Sequence, residues 1–242
     1  MTDSRAECAL FDLDGTLYPV DAVYETAMEA LCAEAERRLG VPRAEMRDAV
    51  AAAGRAQWEA DHRTAGYHSR IIRCQRVLEA RGLPLRHALA LDEAYWDAYL
   101  AAIRPYPDAA ETLSALRSRG VRIGLGTNMT AGMQFRKLER LGLADFFDFA
   151  VTSEETGVEK PAPEFFAACA AKARCPAERC LFVGDNPDAD VRGALGAGLR
   201  AVWFAPDPAK RAAHPDLPSV ASLSGTLEWI RPVPGRDEER IP

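Results

Sequence analysis

The chain has 242 residues, of which 48% are hydrophobic and 27% charged, and its formal net charge is −6 at pH 7. This length and composition predict a globular protein with a sizeable core, organised as one large domain or two modest ones. The acidic balance argues against nucleic acid as a partner, and no apolar run approaches the ~18 residues that a membrane span needs. Because the N-terminus also lacks an apolar stretch behind a positive start, we expect a cytoplasmic protein whose six cysteines stay reduced.

The first predicted element is a buried strand, and a helical segment follows it directly. The run CALFDL from Cys8 has the continuous hydrophobicity of a strand that is covered on both faces. Over residues 18–104 no convincing strand follows, and apolar residues recur at helical spacing instead. The predicted helices run from Val20 toward Leu39 and over Arg43 to Ala60, Ala65 to Arg81 and His87 to Ile103. An all-helical insertion after the first strand predicts a separate cap domain over residues 18–104.

Strands and helices alternate over the rest of the chain. Apolar runs predict buried strands at VRIGLGT from Val121, FDFAVTS from Phe147, CLFVGD from Cys180 and RAVWFA from Arg200. Helical spacing occurs between and after them in PDAAETLSALRSRG, AGMQFRKLERLG, PAPEFFAACAAKA and DADVRGALGAG. This alternation predicts an α/β core with a Rossmann-like, doubly wound parallel sheet, formed by residues 1–17 and 105–230. The proline-rich, charged residues 231–242 are expected to form a flexible tail.

The helix predicted in AGMQFRKLERLG has one apolar face. Its apolar residues are Met133, Phe135, Leu138 and Leu141. We expect these four side chains to face the core, because they recur at roughly helical spacing.

Polar residues follow the carboxyl ends of the predicted strands, which is where ligands bind in an open α/β sheet. They are Asp12 and Asp14 after the first strand, Thr127 and Asn128 after the second, Lys160 before a helix that opens with proline, and Asp185, Asp188 and Asp190 after the fourth. Each of them alone also fits a turn, a helix cap or an exposed surface position. Together they supply carboxylates, a hydroxyl, an amide and a lysine, which suits a magnesium ion and a phosphoryl group.

The two aspartates after the first strand form the most specific part of this pattern. In an extended segment residues two apart project to the same side, so Asp12 and Asp14 should lie close together and repel each other. A divalent cation, which prefers carboxylate and carbonyl oxygens, would relieve that repulsion. Lys160 is the only other cation that we expect near them.

Four motifs in order make the chain resemble the haloacid dehalogenase superfamily. They are FDLDGTLYP, LGTN, EKPAPEFF and VGDNPDAD. The similarity covers the chain from Ala9 to about Phe204 and is to the phosphatase branch in which a helical cap follows the first strand. The resemblance implies hydrolysis of a small phosphorylated metabolite with Mg²⁺ as cofactor and an aspartyl-phosphate as intermediate.

The resemblance also implies a chemical role for each matching residue. Asp12 would attack phosphorus as the nucleophile. Asp14 would protonate the leaving oxygen and then deprotonate the water that hydrolyses the intermediate. Thr127, the amide of Asn128 and Lys160 would bind the phosphoryl oxygens.

A metal-ligand set follows from the same resemblance. Mg²⁺ would be held by the side chains of Asp12 and Asp185 and by the backbone carbonyl of Asp14. Asp190 would act behind them or through water. Asp188 competes with Asp190 for this outer role, and the spacing from Asp185 favours Asp190 because it matches the family pattern.

Three other functions remain as alternatives at this point. A haloacid dehalogenase expels a halide and needs no acid at the second position, so Asp14 argues against it. A phosphomutase is not excluded by any local feature, since fold constrains chemistry only weakly. A non-catalytic binding protein is disfavoured because Asp12, Asp14, Lys160 and Asp185 are all present.

The substrate is less defined than the reaction. In this branch specificity lies largely in the cap, where DHRTAGYHSRIIR offers Arg70 and Arg73 as candidate substrate-binding residues. Either arginine is equally compatible with an exposed helix face. Sugar phosphates, nucleoside monophosphates and phosphoglycolate all fit the sequence, and we expect a monomer or a homodimer.

Overall fold

The computed structural model describes residues 6–230 of the chain. These residues form two compact units, of which one is Val20–Arg104 and the other comprises the described residues up to Pro19 and from Pro105 onward. The tail that the sequence predicts at residues 231–242 lies outside the described residues.

The larger unit contains a six-stranded sheet in which all paired neighbours are parallel. The strands are β1 (Cys8–Phe11), β2 (Arg122–Thr127), β3 (Phe149–Thr152), β4 (Cys180–Gly184), β5 (Arg200–Phe204) and β6 (Ser219–Val220). Their order in the sheet is β3-β2-β1-β4-β5-β6, so the chain extends the sheet first to one side of β1 and then to the other. This order confirms the predicted Rossmann-like α/β fold, to which the structure adds the short strand β6.

Helices of the larger unit follow or precede these strands. They are α5 (Ala109–Ser118), α6 (Ala131–Leu141), α7 (Ser153–Thr156), α8 (Pro163–Ala173), α9 (Gly193–Gly196) and α10 (Pro208–Ala213), whereas the first four α-helices of the chain belong to the smaller unit. Short 3₁₀ segments lie at Ala144–Phe146, Ala177–Arg179 and Ser224–Trp229. The predicted helix DADVRGALGAG is in fact a π-helical segment, Pro187–Arg192, that continues into α9.

The register of the sheet brings the strand ends to one edge. Phe11 of β1 is level with Leu125 of β2 and with Val183 of β4. All four residues of β1 are buried, as the continuous apolar run predicts for a central strand. The polar residues that follow β1, β2 and β4 therefore meet at the carboxyl edge, beside the point where the strand order reverses.

Helix α8 packs an aromatic pair against the same region. It begins with Pro163 at its first turn, a position where the missing N–H of proline has no helical partner to lose. Phe166 lies edge-on to Phe165 and to Phe182 of β4, with ring centroids 5.6 and 5.3 Å apart. The ammonium of Lys160 lies 5.2 Å from the centroid of the Phe182 ring, so these aromatic side chains help to fix its position.

Helix α6 buries a face that differs from the predicted one. Its buried residues are Gln134, Lys137, Leu138 and Leu141, whereas Phe135 is 49% exposed. The expectation that Phe135 faces the core was wrong, because one step along a helix rotates a side chain by about 100° away from its neighbour. The core-facing row is 134, 137, 138 and 141, and two of its four members are polar.

The smaller unit is helical throughout its regular structure. Its helices are α1 (Asp21–Leu39), α2 (Arg43–Ala60), α3 (Arg70–Ala80) and α4 (Ala88–Ala102), with 3₁₀ segments at Ala65–His68 and Leu85–His87. The third predicted helix is interrupted, because Ser69 is extended and its hydroxyl accepts a hydrogen bond from the N–H of Ile72 at 3.4 Å. Ser69 thereby caps a new helix, α3, instead of continuing the preceding turn.

Two further observations concern membrane-spanning helices and the state of the cysteines. Among residues 6–230, no helix combines the length and the hydrophobicity that a membrane crossing requires. All six cysteines lie in this range and are free thiols, and each is buried except the half-buried Cys175.

Candidate active site

Asp12 extends β1 by one residue and carries the first carboxylate of the site. Its backbone N–H donates to the carbonyl of Val183 at 2.9 Å, which continues the sheet hydrogen bonding to β4. Its side chain is buried, and Oδ1 accepts from the ammonium of Lys160 at 2.6 Å. The other oxygen, Oδ2, accepts from the hydroxyl of Thr16 at 3.2 Å.

Lys160 links two of the carboxylates. Its Nζ lies 2.6 Å from Oδ1 of Asp12, 2.7 Å from Oδ1 of Asp190 and 3.1 Å from the carbonyl oxygen of Gly126. The backbone around it is fixed by Asn128, whose Oδ1 accepts from the Lys160 N–H at 2.9 Å. Burial alone would lower the pKa of Lys160, but the charges of Asp12 and Asp190 outweigh burial and raise it. Lys160 is therefore a permanently charged ammonium.

Three carboxylates converge beside this lysine. Oxygens of Asp12, Asp185 and Asp190 lie within 4.8 Å of one another. Burial, followed by the charges of Asp12 and Asp190, raises the pKa of Asp185 to about 8. Burial also raises the pKa of Asp12 to about 6, although Lys160 opposes the change. When all three are ionised, three negative charges face one positive charge, and the excess of two charges fits a divalent cation.

The chemistry and shape of this cluster fit Mg²⁺. Carboxylate oxygens are the ligands that Mg²⁺ prefers. The chain also leaves space at this point, because a Cβ on Gly15 would lie 2.3 Å from Oδ2 of Asp185 and Gly15 has φ +89°. The side chains of Asp12 and Asp185 would hold the ion with Asp190 behind them, whereas the contribution of the Asp14 carbonyl stays a prediction.

Of the two competing acids after β4, the structure brings Asp190 into the cluster. Asp190 is buried, and its Oδ2 accepts from the backbone N–H of Asn186 at 2.9 Å. Gly184 permits this approach, since a Cβ there would lie 2.3 Å from the Asp190 carboxyl carbon. The side chain of Asp188 is 81% exposed and pairs with Arg192 at 3.1 Å. Because both oxygens of Asp190 are already engaged, its geometry suits an outer role better than direct coordination.

Asp14 has a cation of its own, which the sequence interpretation missed. Nζ of Lys137 lies 2.7 and 2.9 Å from the two oxygens of Asp14, and the amide of Gln134 donates to Oδ2 at 2.8 Å. The hydroxyl of Tyr18 donates to Oδ1. The expectation that Lys160 is the only cation near the aspartate pair was therefore wrong. Lys160 pairs with Asp12 and Lys137 pairs with Asp14, so each lysine offsets the charge of one aspartate and the repulsion between the two carboxylates is reduced.

These partners determine the ionisation of Asp14. Burial would raise the pKa of Asp14, but the charge of Lys137 and the hydrogen bonds from Lys137, Tyr18 and Gln134 together lower it. Asp14 is thus a carboxylate in this arrangement. A sequence signal for it does exist, since Gln134 and Lys137 are three residues apart and so share a helix face. Nothing in the local pattern, however, shows that this face is buried.

Thr127 ends β2 close to these groups, and Asn128 follows it. Oγ1 of Thr127 accepts from the amide of Gln134 at 2.6 Å and donates to the carbonyl of Asn128 at 3.2 Å. The next residue, Met129, has φ 108°, a region that residues with a side chain rarely occupy. Its backbone N–H donates to the hydroxyl of Ser153 at 2.7 Å, which helps to hold this strained turn.

The two arginines predicted to bind substrate lie in the helical unit, where both have partners. Arg73 donates to Oε1 of Gln57 at 3.1 Å and to the carbonyl of Tyr67 at 2.9 Å. Burial, followed by the charge of Arg70, lowers the pKa of Arg73 to about 10. The guanidinium of Arg70 lies 5.0 Å from the centroid of the Tyr95 ring. Arg73 also lines a cavity of about 570 Å³ together with Tyr67, and substrate binding by either arginine stays a prediction.

Comparison with known proteins places the chain in a family. The family described as haloacid dehalogenase-like hydrolase matches residues 6–198. The chain belongs to this family. The predicted assignment to a hydrolase of this superfamily, in its phosphatase branch, is confirmed by this match and by the relatives below.

Two curated relatives and one solved structure describe the similarity. The chain is 42% identical over 205 residues to the ribulose-1,5-bisphosphate 5-phosphatase of Halopiger xanaduensis, which covers 83% of this chain and 85% of the relative. It is 44% identical over 109 residues to the glyceraldehyde 3-phosphate phosphatase of Methanopyrus kandleri, a match that covers 45% of this chain and only 47% of that relative. The structure of a phosphatase of this family from Thermococcus onnurineus superposes with a TM-score of 0.72 at 23% identity, over 93% of this chain and 99% of that one, and so supports the fold.

Proposed function

We propose that the protein is a Mg²⁺-dependent phosphatase that hydrolyses a small sugar phosphate through an aspartyl-phosphate on Asp12. The observation that carries the proposal is the cluster of Asp12, Asp185 and Asp190 around the ammonium of Lys160. The sugar is suggested by the two relatives, which are named for ribulose bisphosphate and glyceraldehyde phosphate.

The first half of the reaction transfers the phosphoryl group to the enzyme. A carboxylate oxygen of Asp12 forms a bond to phosphorus while the bond from phosphorus to the sugar oxygen breaks. Lys160 and the hydroxyl of Thr127 bind phosphoryl oxygens and offset their charge. When bound, Mg²⁺ supplies further positive charge to the carboxylates and the phosphoryl group. Because Asp14 is a carboxylate in the resting site, it must first take a proton from solvent; it then gives this proton to the leaving oxygen, and the sugar departs as an alcohol.

The second half of the reaction restores the enzyme. Asp14 has become a carboxylate and takes a proton from water, whose oxygen attacks the phosphorus of the aspartyl-phosphate. The bond between phosphorus and the Asp12 oxygen then breaks, and inorganic phosphate is released. The ionised state in which Lys137 and Gln134 hold Asp14 is the state that this second step requires.

The proposal is tested by an activity screen with matched variants. Purified protein is assayed with para-nitrophenyl phosphate and with a panel of sugar phosphates, nucleotides and phosphoglycolate, in Mg²⁺ and in excess chelator. We expect activity in Mg²⁺ alone, highest on sugar phosphates, and a loss in Asp12→Asn of about 10⁴-fold or more because the nucleophile is missing.

Asp188→Asn is the matched control for the loss of one carboxylate near the site. Since Asp188 is exposed and paired with Arg192, this variant should keep wild-type activity. Full activity of the wild type in excess chelator would contradict the metal assignment. Substantial turnover by Asp12→Asn would show that another group is the nucleophile, and a preference for nucleotides would contradict the substrate class.

A further inference from the structure

We propose that Lys137 and Gln134 are positioning residues that hold the Asp14 carboxylate in place for proton transfer and tie it to Thr127. The inference rests on the proposed function, in which Asp14 moves the proton and Thr127 binds the phosphoryl group. Both positioning residues lie on the buried face of α6, and neither belongs to one of the four motifs.

Lys137 contacts both oxygens of Asp14 from a buried position. Its Nζ lies 2.7 and 2.9 Å from the two oxygens of Asp14 and 3.5 Å from Sδ of Met129. With both carboxylate oxygens engaged by one ammonium, the plane of the Asp14 carboxylate is fixed as well as its charge.

Stability alone does not explain why this ion pair is buried. A buried ion pair is costly to desolvate, and apolar residues of similar volume often replace one without loss of stability. Leu138 and Leu141 lie on the same face as Lys137, so an apolar residue at position 137 would extend an apolar surface that is already present. The structure instead aims the ammonium at the residue to which proton transfer is assigned.

Gln134 connects the proton-transfer residue with the phosphoryl-binding residue. Its Nε2 lies 2.8 Å from Oδ2 of Asp14, 2.6 Å from Oγ1 of Thr127 and 3.1 Å from the carbonyl oxygen of Asn128. Its Oε1 is buried and has no hydrogen-bond partner among the described residues. The opposite orientation of the amide would set Oε1 against the Asp14 carboxylate, so the amide must donate here and leaves its own acceptor unsatisfied.

The two residues thus make α6 a rigid link between the ends of β1 and β2. Asp14 follows β1 and Thr127 ends β2, and Gln134 bonds to both. Proton transfer requires hydrogen-bond distance between Asp14 and the leaving oxygen, and a displacement of ~1 Å can lower a rate about 10²-fold. Removing the link should therefore slow the steps in which Asp14 moves a proton and leave the other steps intact.

Leaving-group dependence separates positioning from general structural damage. A para-nitrophenolate leaves easily without a proton, whereas a sugar alkoxide must be protonated as it leaves. We expect Lys137→Met to lower kcat/KM on a sugar phosphate by about 10²-fold more than on para-nitrophenyl phosphate. Since the later water attack also needs Asp14, the variant should release a burst of one equivalent of para-nitrophenol, which shows accumulated phosphoenzyme.

Three further variants complete the experiment. Lys137→Arg keeps a charged donor and should recover part of the selective loss. Arg136→Met removes the same charge from the adjacent, exposed position of α6 and should match the wild type. Gln134→Met removes the bridging donor without changing charge, and it supplies the same comparison of substrates if Lys137→Met does not fold, as a thermal melt would show.

The outcomes distinguish this inference from the proposed function. Losses of equal size on both substrates without a burst, or no loss at all, in the folded variants would overturn the positioning role. Lack of Mg²⁺-dependent activity in the wild type and in Arg136→Met would overturn the proposed function instead. Asp14→Asn serves as the reference, since the same selective loss must appear there, and more strongly, if Asp14 moves the proton.

Discussion

Replacing Asp185 by Asn should stabilise the metal-free protein at high pH and destroy its response to Mg²⁺. Burial and the charges of Asp12 and Asp190 raise the pKa of Asp185 to about 8 from an ordinary 3.8. The folded state therefore binds this proton more tightly than the unfolded state does, so that stability falls as the pH rises from about 4 to about 8. The amide of Asp185→Asn carries no charge in this range, so the variant does not lose stability in this way as the pH rises.

The raised pKa also gives the size of the effect. The difference between about 8 and 3.8 sets a ceiling of about 6 kcal/mol on the charge-dependent destabilisation at pH 8. The three carboxylates share one repulsion, and removal of one charge relieves the others, so we expect a gain of about 2–3 kcal/mol in the free energy of unfolding. Near pH 5 the gain should be well under half as large, because the loss begins near pH 4 and grows by at most about 1.4 kcal/mol per pH unit.

Urea unfolding in excess chelator at about pH 5 and about pH 8 measures this difference. Asp188→Asn is the matched control, because Asp188 is exposed and paired with Arg192 outside the cluster. Addition of Mg²⁺ at 100 times its Kd should stabilise the wild type by ~2.7 kcal/mol, and the Asp185 variant by much less. A gain that is equal at both pH values, or one that Asp188→Asn reproduces, would refute the reasoning.

Two other predictions concern space around the cluster and the arginines of the helical unit. Gly15→Ala should cost about 1–3 kcal/mol and abolish stabilisation by Mg²⁺, because its Cβ would lie 2.3 Å from Oδ2 of Asp185 at φ +89°. Gly157→Ala, at φ +73° with nothing within 4 Å, controls for the backbone strain alone, and an equal response to Mg²⁺ in both variants would contradict the clash. Arg70→Ala and Arg73→Ala should each lower kcat/KM on a sugar phosphate about tenfold more than on para-nitrophenyl phosphate, since a hydrogen bond to a charged group is worth ~1.5–3 kcal/mol. Similar losses on both substrates would assign these arginines to the packing that their contacts with Tyr95, Tyr67 and Gln57 already show.

The part of the fold that the sequence predicts is the part that depends on local hydrophobicity. Continuous apolar runs identify β1 to β5 because a strand covered on both faces has no polar side. Parallel strands bring their carboxyl ends to one edge, so Asp12 and Asp185 meet although they are far apart in the chain. The two-residue strand β6 is too short to leave such a pattern, and Ser69 interrupts a helical stretch whose spacing alone looks continuous.

The sequence does not predict which polar residues of a helix are buried and take part in the site. By composition, Phe135 is the best candidate for the core of α6 and Lys137 for its surface. In the structure Phe135 is exposed and Lys137 is buried, because the angular position on the helix decides which side chain faces the core. Lys137 is stabilised in that place by Asp14, which follows β1 in the chain, and the sequence pattern of α6 does not indicate a partner from another element.

Because Asp12 and Asp14 pair with different lysines, the charge balance differs between two parts of the site. The cluster around Asp12 would attract a metal ion, whereas the Asp14–Lys137 pair would not. Asp14 and Lys137 form a pair with no net charge, whereas Asp12, Asp185 and Asp190 together exceed Lys160 by two negative charges. A divalent cation is attracted to the second group and has no electrostatic reason to displace Lys137 from the first. The two halves should therefore fail independently. Lys137→Met should keep the rise in melting temperature that Mg²⁺ gives the wild type, even where it loses turnover of sugar phosphates. A loss of that rise would mean that the Asp14 pair and the carboxylate cluster act as one electrostatic unit.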